Sequence, residues 1–326
     1  MQVSRQVRLG VGERAADFVA RGPAGGPARF YAHAGGRPTA VVFHADGDDP
    51  RLADLAGQLT GRSDVACLCV MAHEPAGDFG FPVWSDPAGT VTAAYGVTDA
   101  ELTAIVLDPN LRIVGVVRGE HFAQQVVALL DAAGHADAAR QVVAQAPVLL
   151  IPHVLDEAYC QRLIQVWEDD GAVATGVARS SGGDVLDAEY KRRRDHTVGD
   201  PQLLRELTSV IGRRVLPEVH KAFAFRATRF EGFKIACYDA ATGGFFRPHR
   251  DNLTPSTAHR VFALTLNLND GYEGGQLRFP EYTNQLYRPQ AGAALVFSCA
   301  HLHEVRDMSA GRRFVLLSFL YGEPST

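Results

Sequence analysis

Apolar and polar positions follow different rhythms in the two halves of the chain. In the first half, PTAVVFHA (38–45) and DVACLCVMA (64–72) are short apolar runs bounded by turn residues. AIVLDPNLRIVGVVRG (104–119) holds two apolar runs around Asp108-Pro109-Asn110, which are strong turn formers, and this predicts a hairpin. Phe122, Val126, Val127, Leu129 and Leu130 follow at helical spacing. Alternation of strands and helices predicts an α/β layered domain.

Pro147 and Pro152 punctuate a change of style, so the expected domains are 1–146 and 147–326. Asp156 is placed as the N-cap of a helix whose Tyr159, Leu163, Val166 and Trp167 share one face and which Gly171 ends. Residues 172–199 are rich in glycine, serine and charge and read as a long loop. Asp200-Pro201 opens a second helix carrying Leu203, Leu204, Leu207, Val210 and Ile211. From 230 onward the period drops to two: FKIACYDA, HRVFALTLNLND, GGQLRFP, AALVFS, HLHEV and RRFVLLSFLY are short strands between turns. In the second of these, Phe262, Leu264, Leu266 and Leu268 alternate with Val261, Ala263, Thr265 and Asn267. Such a series predicts a jelly roll of about eight strands, with the two helices covering one outer face. Thr265 and Asn267, opposite the leucines, are placed on the pocket side.

Composition refines this picture. A chain of 326 residues suits two domains of about 150 residues each. A net charge of -5 gives no electrostatic reason to expect a nucleic-acid or acidic-membrane partner. The basic run Lys191-Arg192-Arg193-Arg194 is flanked by acidic residues and reads as a solvated face, the alternative being a local anchor for an anionic substrate. The start of the chain lacks the apolar segment of a signal peptide, and no run approaches the ~20 residues that span a bilayer, so a cytoplasmic protein is expected. The five cysteines, Cys67, Cys69, Cys160, Cys237 and Cys299, include no CxxC pair; reduced thiols fit better than a zinc ribbon or a dithiol motif.

The chemistry gathers in TGGFFRPHRDN, where His249 and Asp251 stand two apart. Alternate residues of a strand point to one side, so both can reach one ion. His303, from a later strand, supplies a third ligand, and two histidines with one carboxylate form the facial triad of non-haem iron(II) oxygenases. Such a triad leaves positions open for a co-substrate and dioxygen, and neutral imidazoles with one carboxylate leave a net positive site suited to a chelating oxo-acid. Arg313, on the next strand, can take a carboxylate bidentately. Spacing alone leaves His301 and His303 both open as the third ligand. His259, in a loop, is placed outside the site.

The order Tyr238, His249-x-Asp251, YEGGQLRFPEY, the AGAALVF strand, His303-Glu304-Val305 and Gly311-Arg312-Arg313 resembles the prolyl-4-hydroxylase type of 2-oxoglutarate/iron(II) oxygenases over about 150 to 322. The resemblance implies a double-stranded β-helix, iron on His249, Asp251 and His303 rather than His301, and the distal carboxylate of 2-oxoglutarate on Arg313 and Tyr238. Gly274-Gly275 is then a structural signature that shapes the pocket. The implied reaction is hydroxylation of an unactivated C–H bond, with iron(II), 2-oxoglutarate and dioxygen required and ascorbate as a reductant. The substrate would be prolyl, an amino acid, a peptide or a natural-product intermediate.

VGERAADFVARGPAG, RPTAVVFHADGDD, FPVWSDPAGTVTAAYGV and AIVLDPNLRIVGVVRG resemble the peroxiredoxin branch of the thioredoxin fold over about 8 to 132. Active members carry a reactive cysteine after the strand corresponding to PTAVVF; here that stretch reads HADGDDPRLADL, with His44 and Asp46 but no cysteine. A redox-inactive module for recruitment, partner binding or homodimerisation is expected. Two other readings stay open: a non-catalytic metal- or ligand-binding jelly roll, and a thiol-redox protein acting through its first domain.

Overall fold

The computed structural model describes residues 9–34, 36–44, 49–72, 80–97, 101–134, 141–178, 184–185 and 187–324. The chain divides into two units, Met1–Ala139 and Arg140–Thr326. The division falls a little before Pro147, because Ala146 is already buried in the C-terminal unit.

In the N-terminal unit the predicted strands form as Thr39–His44 and Ala66–Met71, which pair in parallel. The predicted hairpin pairs Thr103–Leu107 with Ile113–Val117 antiparallel. These strands belong to a mixed seven-stranded sheet. Alternate residues of Thr39–His44 feed different cores: Val41 and Phe43 pack with Phe18, Phe30, Trp84 and Tyr95, whereas Ala40 and Val42 pack with Leu52, Leu55, Val126 and Leu130. The latter four come from the helices Pro50–Leu59 and Phe122–Ala132. A central strand clothed on both faces has to be apolar throughout, which is why PTAVVF shows no alternation. The unit is therefore α/β, as expected.

In the C-terminal unit two antiparallel sheets carry the fold. The larger runs Leu149–Ile151, Ala294–Ser298, Phe262–Asn267, Arg312–Pro324, Lys234–Asp239, Arg194–Thr197 and Val173–Ala174, with Phe225–Phe230 also on Arg312–Pro324. The smaller runs Lys191–Arg192, Phe245–His249, His303–Val305, Leu277–Arg278 and Leu286–Tyr287. Period-two alternation sorts the larger sheet into two faces. Ile235, Cys237, Leu264, Leu266, Phe314 and Leu316 pack with the helices Glu157–Asp170, Pro201–Arg214 and Leu216–Phe223. Ala236, Tyr238, Ala263 and Val315 share a second core with Phe246, Leu277 and Val305 of the smaller sheet. This is a jelly roll with helices on one outer face. Asp156 caps the first helix by accepting from the Tyr159 amide at 2.8 Å, and Asp200 caps the second by accepting from Leu203 at 2.6 Å.

The expected long loop over 172–199 does not hold. Its described part contains Val173–Ala174, Val177–Ala178, Asp184–Val185, Lys191–Arg192 and Arg194–Thr197. The chain leaves the smaller sheet after Arg192 and enters the larger one at Arg194, where it pairs with Lys234–Asp239. Backbone pairing recruits these segments as strands, each too short to show an alternating pattern. Among the described residues, no helix is long and apolar enough to cross a membrane.

Candidate active site

His249 ends the strand Phe245–His249 and lies directly opposite His303, the first residue of His303–Val305. A register shift between Phe246 and His249 lets the Phe246 ring stack on the His249 ring at 3.4 Å between centroids. Asp251 follows in a bend, held by its amide donating to the Cys299 carbonyl at 2.9 Å. The His249 and His303 rings stand 4.2 Å apart, and one ligand atom from each of His249, Asp251 and His303 lies within 4.8 Å of the others. All three side chains are largely buried, at 8%, 14% and 5% exposed.

The ring orientations are set by the backbone. His249 Nδ1 lies 2.7 Å from the Arg247 carbonyl and His303 Nδ1 lies 3.0 Å from the His301 carbonyl. A carbonyl can only accept, so both Nδ1 atoms carry hydrogen, which leaves Nε2 as the ligand atom of each ring. The two Nε2 atoms sit 3.6 and 3.3 Å from the Asp251 carboxylate. Burial, with smaller contributions from His303, Arg193 and Lys191, pushes His249 well below the usual imidazole range, which keeps it neutral and ready to ligate. Two neutral imidazoles and a carboxylate in this arrangement fit a divalent iron ion.

His301 does not join this group. It lies before the strand, its ring packs edge-on to Tyr282 at 5.1 Å, and it contributes only its carbonyl to His303. His259 pairs with Glu231 at 2.9 Å, also outside the group.

The trio opens on a cavity of about 870 Å³, whose lining includes Tyr238, Thr265, Leu277, Phe297 and Arg313. Tyr238 and Arg313 are direct cross-strand partners, and both are 2% exposed. The Arg313 guanidinium lies 5.6 Å from the Tyr238 ring centre, and its Nε donates to Asn267 Oδ1 at 3.3 Å. Among the described residues no carboxylate pairs with it. A buried guanidinium that faces a cavity and pairs with no carboxylate among the described residues fits an anionic co-substrate such as 2-oxoglutarate. Thr265 lines the cavity as expected, whereas Asn267 sits behind Arg313 and holds it. At Gly275, with φ +67°, an added Cβ would strike Met308 Sδ and come within 3.2 Å of Arg313 Cδ, so this glycine makes room for the arginine stem.

The solvated-face reading of Lys191–Arg194 needs correction. Arg192 and Arg194 are exposed, but Lys191 and Arg193 turn inward and line the cavity. Arg193 Nε and Nη2 donate to Asp195 Oδ1 and Oδ2 at 2.6 and 2.7 Å, and Arg193 Nη1 donates to the Tyr238 hydroxyl at 3.1 Å. Burial works to raise the Asp195 carboxyl, but Arg193 and Lys191 with Thr175 hold it below the usual range. The spacing of two between Lys191, Arg193 and Asp195 was the available signal for this cluster, although the three span the crossing from one sheet to the other.

Residues 233–321 match the family described as the 2OG-Fe(II) oxygenase superfamily. Two proteins of Synechococcus sp., strains JA-2-3B'a(2-13) and JA-3-3Ab, each described as a PKHD-type hydroxylase, are 24% identical over 184 residues. The aligned part is 53% of this chain and 77% of each relative. Among solved structures, a Trichoplax adhaerens prolyl hydroxylase in complex with a hypoxia inducible factor peptide fragment matches with a TM-score of 0.44 at 17% identity, covering 54% of this chain and 84% of its own. A Pseudomonas putida prolyl-4-hydroxylase matches with a TM-score of 0.41 at 20% identity, covering 55% and 94%. The C-terminal unit thus carries a 2-oxoglutarate-dependent oxygenase domain, and iron(II), 2-oxoglutarate and dioxygen are the groups this chemistry uses.

Proposed function

We propose that the protein hydroxylates an unactivated C–H bond of a prolyl, amino-acid, peptide or natural-product substrate, with iron(II) on His249, Asp251 and His303 and 2-oxoglutarate on Arg313 and Tyr238. The observation that carries this reading is one cavity holding both a His-Asp-His group and a buried arginine with no internal carboxylate among the described residues. Bound iron would supply dioxygen activation, with 2-oxoglutarate as the electron donor and succinate and carbon dioxide as co-products. The chain's own groups do the rest. Backbone carbonyls fix both imidazoles, Arg313 anchors the distal carboxylate, and Tyr238 donates to the same group. Phe246, Leu277, Phe297 and Val305 form an apolar wall that excludes water from the reacting bond. The hydroxylase names of the Synechococcus relatives support the reaction class. The peptide complex of the Trichoplax protein is a property of that protein.

We further propose that the N-terminal unit is a thioredoxin-like module of the peroxiredoxin branch, redox-inactive, serving recruitment or homodimerisation. His44 ends the strand Thr39–His44, while Asp46 lies outside the described residues. Burial pushes the Cys67 thiol up to about 12 and Cys69 higher still, which opposes thiolate chemistry in this unit. Five free cysteines accord with a cytoplasmic location.

The test is anaerobic addition of iron(II) and then 2-oxoglutarate to the purified protein. A weak visible charge-transfer band is expected, lost in His303→Ala and kept in His301→Ala. No band in the unaltered protein would overturn the assignment.

A further inference from the structure

The Tyr238 hydroxyl has one proton and two lone pairs, and Arg193 uses one lone pair by donating at 3.1 Å. A guanidinium cannot accept, so the phenolic proton cannot be spent on it. Among the described residues no group accepts that proton, although Tyr238 is buried and lines the cavity. Two guanidinium groups, Arg193 and Arg313, each stand 5.6 Å from the centre of the Tyr238 ring. The two cations differ. Arg193 is clamped by Asp195 through two hydrogen bonds, and Thr175 donates to the same carboxylate at 2.7 Å, so its charge is neutralised within the protein. Arg313 has no such anion among the described residues.

We infer that Arg193, locked by Asp195, is a positioning residue for 2-oxo acid binding: it holds the Tyr238 hydroxyl as a hydrogen-bond donor aimed at the carboxylate that Arg313 receives. This rests on the proposed placement of 2-oxoglutarate. Asp195 sets the Arg193 plane, Arg193 fixes the phenol oxygen and polarises its O–H bond, and the proton is left for an anionic oxygen in the cavity. Because the Arg193–Asp195 pair carries no net charge, it does not compete with Arg313 for the carboxylate. Arg193 acts only through Tyr238.

Calorimetric titration of 2-oxoglutarate into the manganese-loaded full chain tests this without turnover. Tyr238→Phe and Arg193→Lys should each weaken binding by about 10-fold, the loss of one charge-assisted hydrogen bond. The double variant should bind no more weakly than Tyr238→Phe alone, since the two changes remove the same interaction. Manganese affinity should be equal in all four proteins. Independent, additive losses would overturn the inference, as would Arg193→Lys binding like the unaltered protein. Should Arg193→Lys not fold, Asp195→Asn, which frees the Arg193 plane, takes its place: weaker binding that adds nothing to Tyr238→Phe supports the inference, and unchanged binding overturns it. No 2-oxoglutarate binding by the metal-loaded unaltered protein would instead overturn the functional reading, and this inference with it.

Discussion

Arg313→Met should move stability and co-substrate affinity in opposite directions. Arg313 is 2% exposed; its side chain donates to Asn267 at 3.3 Å and lies 5.6 Å from the Tyr238 ring centre. A buried cation without an anion costs several kcal/mol, part of which water in the cavity offsets; replacing it with an apolar side chain of similar length should stabilise the metal-free protein by about 1–2 kcal/mol. For a unit of this size that raises Tm by about 2–8 °C. The same change removes the charged partner of the 2-oxoglutarate carboxylate, worth about 2–5 kcal/mol, or roughly 30-fold to a few thousandfold in Kd. Scanning calorimetry of the metal-free protein reads the first effect, and anaerobic titration of the charge-transfer band reads the second. A variant that melts lower than its parent, or binds 2-oxoglutarate equally well, would show that Arg313 is a structural residue and refute the argument.

Three further outcomes are expected. His249→Ala and Asp251→Ala should abolish turnover and iron binding while far-ultraviolet circular dichroism stays unchanged, because both cores of the C-terminal unit are apolar and independent of metal. Gly275→Ala should cost about 1–3 kcal/mol through its left-handed backbone and raise the 2-oxoglutarate requirement by displacing Arg313, measured by urea unfolding and by KM. Because burial depresses His249 from its ordinary 6.5, the unfolded chain binds a proton that the folded one refuses; its contribution to metal-free stability is full above pH 6.5 and is lost as pH falls below it, and His249→Gln should flatten that slope in urea titrations at several pH values.

The two faces of the central strands were legible because alternation is the direct imprint of a sheet with one side on helices and one on a cavity. Phe262, Leu264 and Leu266 follow that rule, as do Ala263 and Thr265. His249 and Asp251 were legible by their spacing of two, although only His249 lies on a strand and Asp251 follows in a bend. The choice between His301 and His303 was not, since both have the parity; it depends on where the strand begins and on a carbonyl that orients one ring. The inward turn of Lys191 and Arg193 was hidden because hydrophobic patterning counts a charge as solvated, whereas Asp195 and Tyr238 give Arg193 a buried place by pairing with it. Helix Leu216–Phe223 was missed because it follows Pro201–Arg214 with only Val215 between them, so the spacing reads as continuous.

The larger sheet of the C-terminal unit is a partition wall. On the strands Phe262–Asn267 and Arg312–Pro324, Ala263, Thr265, Val315 and Leu317 face the cavity, while their neighbours Leu266, Phe314 and Leu316 belong to the helix-side core. The positions that shape the cavity and the positions that hold the helices therefore interleave along the same strands. A mutant library confined to the cavity-facing positions therefore explores new substrates while the anchorage of the helices stays as it is.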